Sequence, residues 1–323
     1  MWKALLRTIR SIGPPIFLLI ALGFLAYVLR NQWDTLRSHS WHFDFGWLLI
    51  SLLLMLASWG VEIWLWLLLL GTLGGHIPYF PAVRIWFLSA IVRYIPGNIW
   101  QPLSMTLYAQ RWRIRPETTV TSVALYQGIT LLAATPIAVV YFAWSHNWGL
   151  LTSYLPTRLG NTWSIIVLLL LALPVLTFLA RPGWLIGLFN WALQKLGRDQ
   201  LTAYLSSSHL LLLLLIGVVN WLLWGAAFAA LVFAIGEYPP GQIGQLVLHL
   251  VATYPIAYAI GFLSVITPSG LGVREGTLYV LLAPLLGGAN ATLAGLIMRL
   301  WITLGELVLA GLSALGPSTV QRK

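Results

Sequence analysis

Long apolar runs alternate with short polar connections along most of the chain. Six of these runs are long enough to cross a membrane as one helix: residues 12–29, 47–71, 119–144, 163–180, 208–235 and 289–313. A bilayer core about 30 Å thick takes roughly 20 apolar residues per crossing, so each run predicts one transmembrane helix. The pattern therefore predicts an all-α polytopic membrane protein with about six full spans.

Two further apolar regions are interrupted by proline and glycine and predict broken helices. Residues 84–110 contain Pro96, Gly97 and Pro102, and residues 247–286 contain the stretch TPSGLG. Their apolar arms are short for a span, and a broken backbone at membrane depth needs protein or water to satisfy its N–H and C=O groups. We therefore predict two re-entrant helical hairpins. The alternative is that these prolines and glycines mark ordinary loops between full spans.

The basic residues occupy connections that fall on one side of the membrane if both broken regions re-enter. Cytoplasmic loops carry an excess of lysine and arginine, so this side is predicted to be the cytoplasm. Both chain termini are predicted to lie there, in a multi-pass protein of the cell membrane (inner or plasma membrane). The residues concerned are Lys3, Arg7, Arg10, Arg111, Arg113, Arg115, Arg181, Lys195, Arg198, Arg322 and Lys323.

This topology divides the single membrane domain, residues 1–323, into two pseudo-repeat halves, 1–145 and 146–323. Each half contains two spans, a broken hairpin and a third span, and an odd number of crossings gives the halves opposite orientations. Interrupted segments at matching positions of inverted halves are typical of transporters with a midplane site. The stretches YIPGN at 94–98 and ITPSG at 266–270 hold these matching positions.

Residues 181–207, between two of the full spans, predict a helix that lies along the membrane surface. Apolar side chains recur there at helical spacing, and polar side chains occupy the opposite face. The apolar residues are Leu185, Leu188, Phe189, Leu193 and Leu196, and the polar ones are Asn190, Gln194 and Arg198.

The composition removes several classes of function. With 59% hydrophobic and 8% charged residues, the chain of 323 residues leaves no room for a soluble catalytic domain. The absence of cysteine excludes disulfides, thiol catalysis and thiolate metal sites, and no P-loop motif is present. The formal charge of +10 is not arranged in basic runs of the nucleic-acid type and favours anionic lipid head groups as partners. No cofactor, metal or nucleic acid is predicted.

Ionisable residues inside the predicted membrane segments are the candidates for function. A charge at a helix centre costs roughly 2.5–3.5 kcal/mol on insertion scales, so each one needs a partner or a wet cavity. The last span places two of them seven residues apart, on one face, whereas two adjacent ones near residue 274 diverge by about 100°. We expect one of these adjacent residues to face a cavity and the other a neighbouring span. The set is Glu62, Arg93, Arg274, Glu275, Arg299 and Glu306.

The arginines beside the two breaks favour a site for a phosphate group. Arg93 precedes Pro96 and Gly97, and Arg274 follows TPSGLG. The free N–H groups of a half-helix N-terminus next to an arginine suit an anion. The alternative is that the buried charges pair with one another and only hold the bundle together.

Smaller residues and the remaining carboxylates complete the candidate site. Gly270 and Gly272 permit a tight turn and a close approach of the backbone, and Ser269 can cap the helix that follows. Glu62 and Glu306 are candidates for ion coupling or for structural ion pairs.

Three stretches together resemble the family of the transmembrane region of lysylphosphatidylglycerol synthase, also called flippase-like domain proteins. They are RYIPGN at 93–98, PSGLGVRE at 268–275 and MRLWITLGELVLAGL at 298–312, and the resemblance covers essentially the whole chain. In a two-domain bacterial member, such a region is thought to move an aminoacylated phospholipid between leaflets, and archaeal relatives are linked to lipid-carried sugars. No synthase domain follows here, so the resemblance implies that the chain does not itself make the lipid.

The residues and the resemblance together predict a translocase for an anionic or phosphate-bearing membrane phospholipid or a lipid-linked glycan, with no catalytic residue. Two alternatives stay open: an integral-membrane transferase acting on polyprenyl or phospholipid substrates, and an accessory subunit of a lipid-modifying enzyme. A transferase needs acidic or histidine residues clustered outside the membrane, for which His39, His42 and Asp44 are the candidates. The predicted substrate-binding residues are Arg93, Pro96, Gly97, Ser269, Gly270, Gly272, Arg274, Glu275 and Arg299.

Overall fold

The computed structural model describes residues 30, 37, 42–94, 100–145, 162–195, 197, 200, 204–264, 270 and 272–315. Within these residues all regular secondary structure is helical, as the apolar pattern predicts. The α-helices are α1 (Phe45–Thr72), α2 (Tyr79–Ala90), α3 (Trp100–Ala109), α4 (Pro116–Ser145), α5 (Thr162–Ala180), α6 (Gly183–Lys195), α7 (Ser207–Ile235), α8 (Pro240–Leu263), α9 (Val273–Leu286) and α10 (Gly288–Leu315). Short 3₁₀ turns, Ile91–Tyr94 and Gln110–Trp112, follow α2 and α3.

Five of the described helices are long and apolar enough to cross a membrane, namely α1, α4, α7, α8 and α10. A sixth crossing results if Leu169–Ala180 and Gly183–Lys195 are taken as one span, bent by 92°. The first predicted span, residues 12–29, lies outside the described residues. The chain is an all-α polytopic membrane protein.

Helix α6 leaves α5 almost at a right angle, which is the direction expected of a helix along the membrane surface. Leu185 and Ile186 are buried against the bundle, whereas both tryptophans of this helix are exposed. Each tryptophan carries a cation over its ring: Arg181 lies 5.4 Å from the Trp184 centroid, and Lys195 lies 5.6 Å from the Trp191 centroid. Indole rings and cations of this kind suit the head-group region of a bilayer.

The two interrupted regions differ in the lengths of their arms. The first region has short arms, α2 with 12 residues and α3 with 10, as the sequence predicts. In the second region α9 is short, with 14 residues, but α8 has 24 and is long enough to cross alone. Helix α8 begins at Pro240 rather than near Val247 because a proline at the first helical position starts the helix before the apolar pattern becomes continuous.

Helix α7 lies at the centre of the bundle and packs against α1, α4 and α8. Its contact with α8 is at backbone distance, since a Cβ atom on Gly225 would overlap the carbonyl oxygen of Val251. Helix α9 packs against both α8 and α10. In addition, α4 packs against α8 and α10 packs against α2, so the last span of each predicted half contacts the interrupted region of the other half.

Tryptophan side chains fill much of the core. Trp59, Trp66, Trp86 and Trp221 are at most 2% exposed. Two of them donate their indole N–H to a buried acceptor: Trp66 Nε1 to Ser122 Oγ at 3.0 Å, and Trp221 Nε1 to the Thr130 carbonyl at 2.8 Å. The fold therefore uses indole rings for packing between spans as well as at the membrane surface.

Candidate functional site

The break between α8 and α9 brings the end of one helix against the start of the next. Gly270 has φ +68°, and a Cβ atom there would lie 2.6 Å from the carbonyl oxygen of Gly261 in α8. Gly272 has φ +81° and is the N-cap residue of α9, with open space around it. Gly270 is therefore required for both conformation and space, and Gly272 for conformation alone. Ser269 lies outside the described residues.

Glu275 occupies the third position of α9 and satisfies the start of its own helix. Its Oε2 accepts the backbone N–H of Gly272 at 2.7 Å, which is the reciprocal half of a capping box. Its Oε1 lies 2.6 Å from Nη1 of Arg299 on α10. The side chains are 24% and 13% exposed, respectively, so this ion pair is largely buried. Both carboxylate oxygens are thus committed to protein donors.

A glycine allows the close approach of α9 and α10 at this ion pair. A Cβ atom on Gly295, one turn before Arg299, would lie 3.7 Å from the Glu275 Cα and 3.4 Å from Leu278 Cδ1. A larger side chain at position 295 would therefore push α9 away from α10. The small residue and the arginine lie on one face of α10 because they are four positions apart.

Arg274 points to α8, in a different direction from its neighbour Glu275. Its Nη2 donates to the hydroxyl of Tyr254, and its guanidinium carbon lies 4.5 Å from the Tyr254 ring centroid and 5.3 Å from that of Tyr258. Among the described residues, no carboxylate lies within ion-pair distance of Arg274. The divergence of the two adjacent charges agrees with the sequence expectation, but both side chains contact a neighbouring helix, Arg274 on α8 and Glu275 on α10.

Glu62 of α1 faces α7. Its Oε1 accepts the indole N–H of Trp224 at 2.8 Å and is 3.5 Å from Nδ2 of Asn220. The Trp224 ring stacks on Tyr254, with centroids 6.1 Å apart. A continuous row of side chains therefore leads from Glu62 through Trp224 and Tyr254 to Arg274, across three helix interfaces.

For Glu306 and Arg93, the other charged residues that the sequence predicts, the structure describes fewer contacts. Glu306 is 1% exposed on α10, and the Thr303 hydroxyl between it and Arg299 donates to the Arg299 carbonyl at 2.8 Å. Arg93 belongs to the 3₁₀ turn Ile91–Tyr94, which packs against α10. The Arg93 side chain, Pro96 and Gly97 lie outside the described residues.

Several neutral residues of the site were not predicted from the sequence. Tyr254, Tyr258, Asn220 and Trp224 lie in apolar runs and carry no charge that would single them out. One signal was available, since Tyr254 and Tyr258 are four residues apart and therefore share one face of α8. Their role as the surroundings of Arg274 depends on how α8 packs on α9.

A second group of polar residues lies where α1 begins and α7 ends. His42, Asp44, Glu237 and Tyr238 line a cavity of about 480 Å³ together with apolar side chains. Nδ1 of His42 lies 3.3 Å from Oε1 of Glu237, and burial raises the pKa of the Tyr238 hydroxyl. The sequence had singled out His42 and Asp44 but missed Glu237.

Asp44 in this cavity has a structural task. Its Oδ1 accepts the N–H groups of Gly46 at 2.8 Å and Trp47 at 3.2 Å, which caps α1. Its own N–H donates to the Ala234 carbonyl at 2.9 Å and ties α1 to the end of α7. His39, the third candidate of that loop, lies outside the described residues.

The chain matches the sequence model of one protein family. No curated protein and no solved structure matches the chain. A family model described as the lysylphosphatidylglycerol synthase TM region matches residues 16–310, a range that includes both interrupted regions and most of α10. The chain therefore belongs to the lysylphosphatidylglycerol synthase transmembrane-region family.

Proposed function

We propose that the protein is a translocase that moves an anionic or phosphate-bearing lipid, or a lipid-linked glycan, between the leaflets of its membrane. The observation that carries the proposal is the setting of Arg274. Its half-buried guanidinium is held by two tyrosines beside a helix break, and no carboxylate of the described residues pairs with it. A cation in such a place is suited to the phosphate of a lipid.

The charge balance around the break supports an anionic substrate group. Arg274 and Arg299 contribute two positive charges, and Glu275 contributes one negative charge. The N-terminus of α9 adds a partial positive charge of roughly one half. These three side chains and the helix N-terminus together have an excess of about one to one and a half positive charges, which one lipid phosphate would neutralise; the Glu62 carboxylate, beyond Trp224 and Tyr254, is not part of this sum.

The arrangement of helices suits alternating access around this break. We propose that residues 1–145 and 146–323 form two inverted halves with both termini in the cytoplasm. The reciprocal packing of α4 on α8 and of α10 on α2 supports this interpretation, because a pseudo-two-fold axis relates such contacts. Rocking of one half against the other would expose the break to each leaflet in turn.

Lipid exchange in liposomes tests the proposal. The purified protein is reconstituted with trace fluorescent phosphatidylglycerol, phosphatidylcholine or a neutral glycolipid without phosphate. Dithionite, which quenches only the outer leaflet, then reports how fast each lipid crosses. We expect the phosphate-bearing lipids to exchange faster than in liposomes with heat-denatured protein, and the neutral glycolipid to show no such increase. If neither phosphate-bearing lipid exceeds the denatured control, the proposal is wrong.

The cavity at the start of α1 favours a second candidate function, an integral-membrane transferase. His42 and Glu237, 3.3 Å apart, form the kind of pair that acts in general acid–base catalysis, and Tyr238 lines the same cavity. A transferase would change the mass of a supplied lipid when incubated with a membrane extract, whereas a translocase would not. Loss of a new lipid product in both His42→Ala and Glu237→Gln would support the transferase.

A further inference from the structure

Arg274 and Glu275 are adjacent and opposite in charge, yet the structure keeps them apart. The guanidinium of Arg274 lies against Tyr254 and Tyr258 of α8, and the carboxylate of Glu275 is turned toward α10. Under the proposed function, this separation is necessary. A carboxylate on Arg274 would neutralise the charge that a lipid phosphate needs.

The Glu275 carboxylate is held by one contact on each oxygen. Gly272 N–H binds Oε2 at 2.7 Å, and Arg299 binds Oε1 at 2.6 Å. Arg299 is the cation in contact with this carboxylate, and Arg274 is the cation next to it along the chain. If Arg299 were removed, Oε1 would lose its cation, because the Gly272 N–H occupies only Oε2. The carboxylate would then be free to turn away from α10 toward Arg274, the adjacent cation, from which it now diverges.

We infer that Arg299 is a positioning residue, which holds Glu275 at the N-terminus of α9 and thereby keeps Arg274 available for the substrate phosphate. The inference rests on the proposed function. It adds Arg299 to Arg274 and gives the two arginines different roles. Arg274 contacts the phosphate. Arg299 prevents an internal carboxylate from taking the place of that phosphate.

This division of tasks predicts a specific pattern in a double-mutant cycle. Arg299→Gln releases Glu275 toward Arg274 and lowers affinity for a phosphate-bearing lipid by about tenfold or more. Glu275→Gln removes the competing carboxylate and raises the affinity by a few-fold, about two to five. The double variant Arg299→Gln/Glu275→Gln regains affinity to within about threefold of the wild type, because no carboxylate is left for Arg299 to restrain.

Binding of fluorescent phosphatidylglycerol to the full chain in detergent micelles, measured by anisotropy, gives the four affinities. Arg181→Gln is the matched control, because Arg181 also lies over an aromatic ring but belongs to the connection between α5 and α6. It should bind as the wild type does. Thermal unfolding of each variant shows that the differences do not come from loss of folded protein, and Arg299→Lys should retain most of the affinity.

Three outcomes would overturn the inference. A double variant as weak as Arg299→Gln would show that Arg299 itself contacts the phosphate. Weaker binding by Glu275→Gln than by the wild type would show that phosphate binding requires the Glu275–Arg299 ion pair. Wild-type affinity in Arg299→Gln would show that Glu275 does not need to be restrained. Each is distinct from a failure of the proposed function, in which the wild type binds phosphatidylglycerol but moves none; absence of wild-type binding would overturn both.

Discussion

Trp224 donates its indole N–H to the carboxylate of Glu62 at 2.8 Å and so links α7 to α1 through a charged hydrogen bond. A second indole of α7, that of Trp221, donates at the same distance to a neutral acceptor, the Thr130 carbonyl of α4. Two buried tryptophans three residues apart thus make hydrogen bonds of equal length to acceptors of different charge.

This pair allows a controlled test of the Glu62 contact. Trp224→Phe should lower the free energy of unfolding by about 1.5–3 kcal/mol from the lost hydrogen bond, because the acceptor is charged. Trp221→Phe should cost about 0.5–1.5 kcal/mol from the same source. Thermal denaturation in detergent measures both. Equal losses would mean that the charge of Glu62 adds nothing to this contact.

The two glycines of the break should respond differently to alanine. Gly270→Ala introduces a Cβ atom 2.6 Å from the Gly261 carbonyl oxygen and forces a left-handed conformation, so it should abolish lipid exchange or folding. Gly272→Ala meets only the cost of its backbone conformation, φ +81° and ψ −40°, which is about 1–3 kcal/mol, and should give folded protein. Gly276→Ala in α9, where nothing lies within 4 Å, is the control. Equal tolerance at 270 and 276, measured at matched expression, would contradict the close approach.

Substitution of Arg274 should impair transport more than stability. Lysine keeps the charge but loses the planar fork and its stacking on the tyrosines, so exchange of phosphatidylglycerol should fall by about tenfold in Arg274→Lys. Arg274→Gln should reduce it by about a hundredfold. Because no described carboxylate is left unpaired, the fall in melting temperature should be limited to the loss of the hydrogen bond to Tyr254 and of the two ring contacts. Arg181→Lys and Arg181→Gln are controls with a similar ring contact.

A stabilising role for Arg274 would give the opposite pattern. Arg274→Lys would then keep the wild-type exchange rate, and Arg274→Gln would lower the yield and the melting temperature together. That result would remove Arg274 from the proposed phosphate site.

Enlarging Gly295 should separate α9 from α10. In Gly295→Leu, the new side chain meets Leu278 and the backbone of Glu275, so overpacking should cost about 1–3 kcal/mol and weaken the ion pair with Arg299. Gly311→Leu, on the same helix but with nothing within 4 Å, should be nearly neutral. Thermal unfolding of Gly295→Leu in the wild type and in Arg299→Gln separates the two contributions, since the ion pair is already absent from the second background.

The predicted topology can be tested with single cysteines, because the chain has none of its own. A cysteine at Ser145, the last residue of α4, should react with a membrane-impermeant maleimide in intact cells. A cysteine at Ser318 should react only after the membrane is opened. Labelling of Ser318→Cys in intact cells would contradict the cytoplasmic C-terminus.

The sequence predicts the fold correctly where the structure of a segment depends only on a property of that segment. Apolar length placed α1, α4, α7 and α10, since a helix that crosses a bilayer must be long and apolar whatever it packs against. The beginning of α8 was not placed correctly, because Pro240 starts the helix ahead of the continuous apolar run.

The candidate site was predictable only for its charged members and its glycines. Arg274, Glu275 and Arg299 attract notice because a charge inside a membrane segment is costly. Which arginine pairs with Glu275 depends on the packing of α10 against α9, and no local pattern encodes that choice. Tyr254 and Tyr258 were not predicted for the same reason. They matter only because Arg274 of the neighbouring helix α9 packs against them.

The glycine contacts at the middle and at the C-terminal end of α8 also bear on how the protein can move. Gly225 brings α7 to backbone distance from Val251, and Gly261 meets Gly270 and the Cβ of Arg274 in the same manner. Because the backbones are in contact there, we expect α7, α8 and the start of α9 to move as one unit that carries Arg274. Under the proposed translocation, the displacement of Arg274 would then depend on the angle through which this unit turns, rather than on the reach of a flexible side chain.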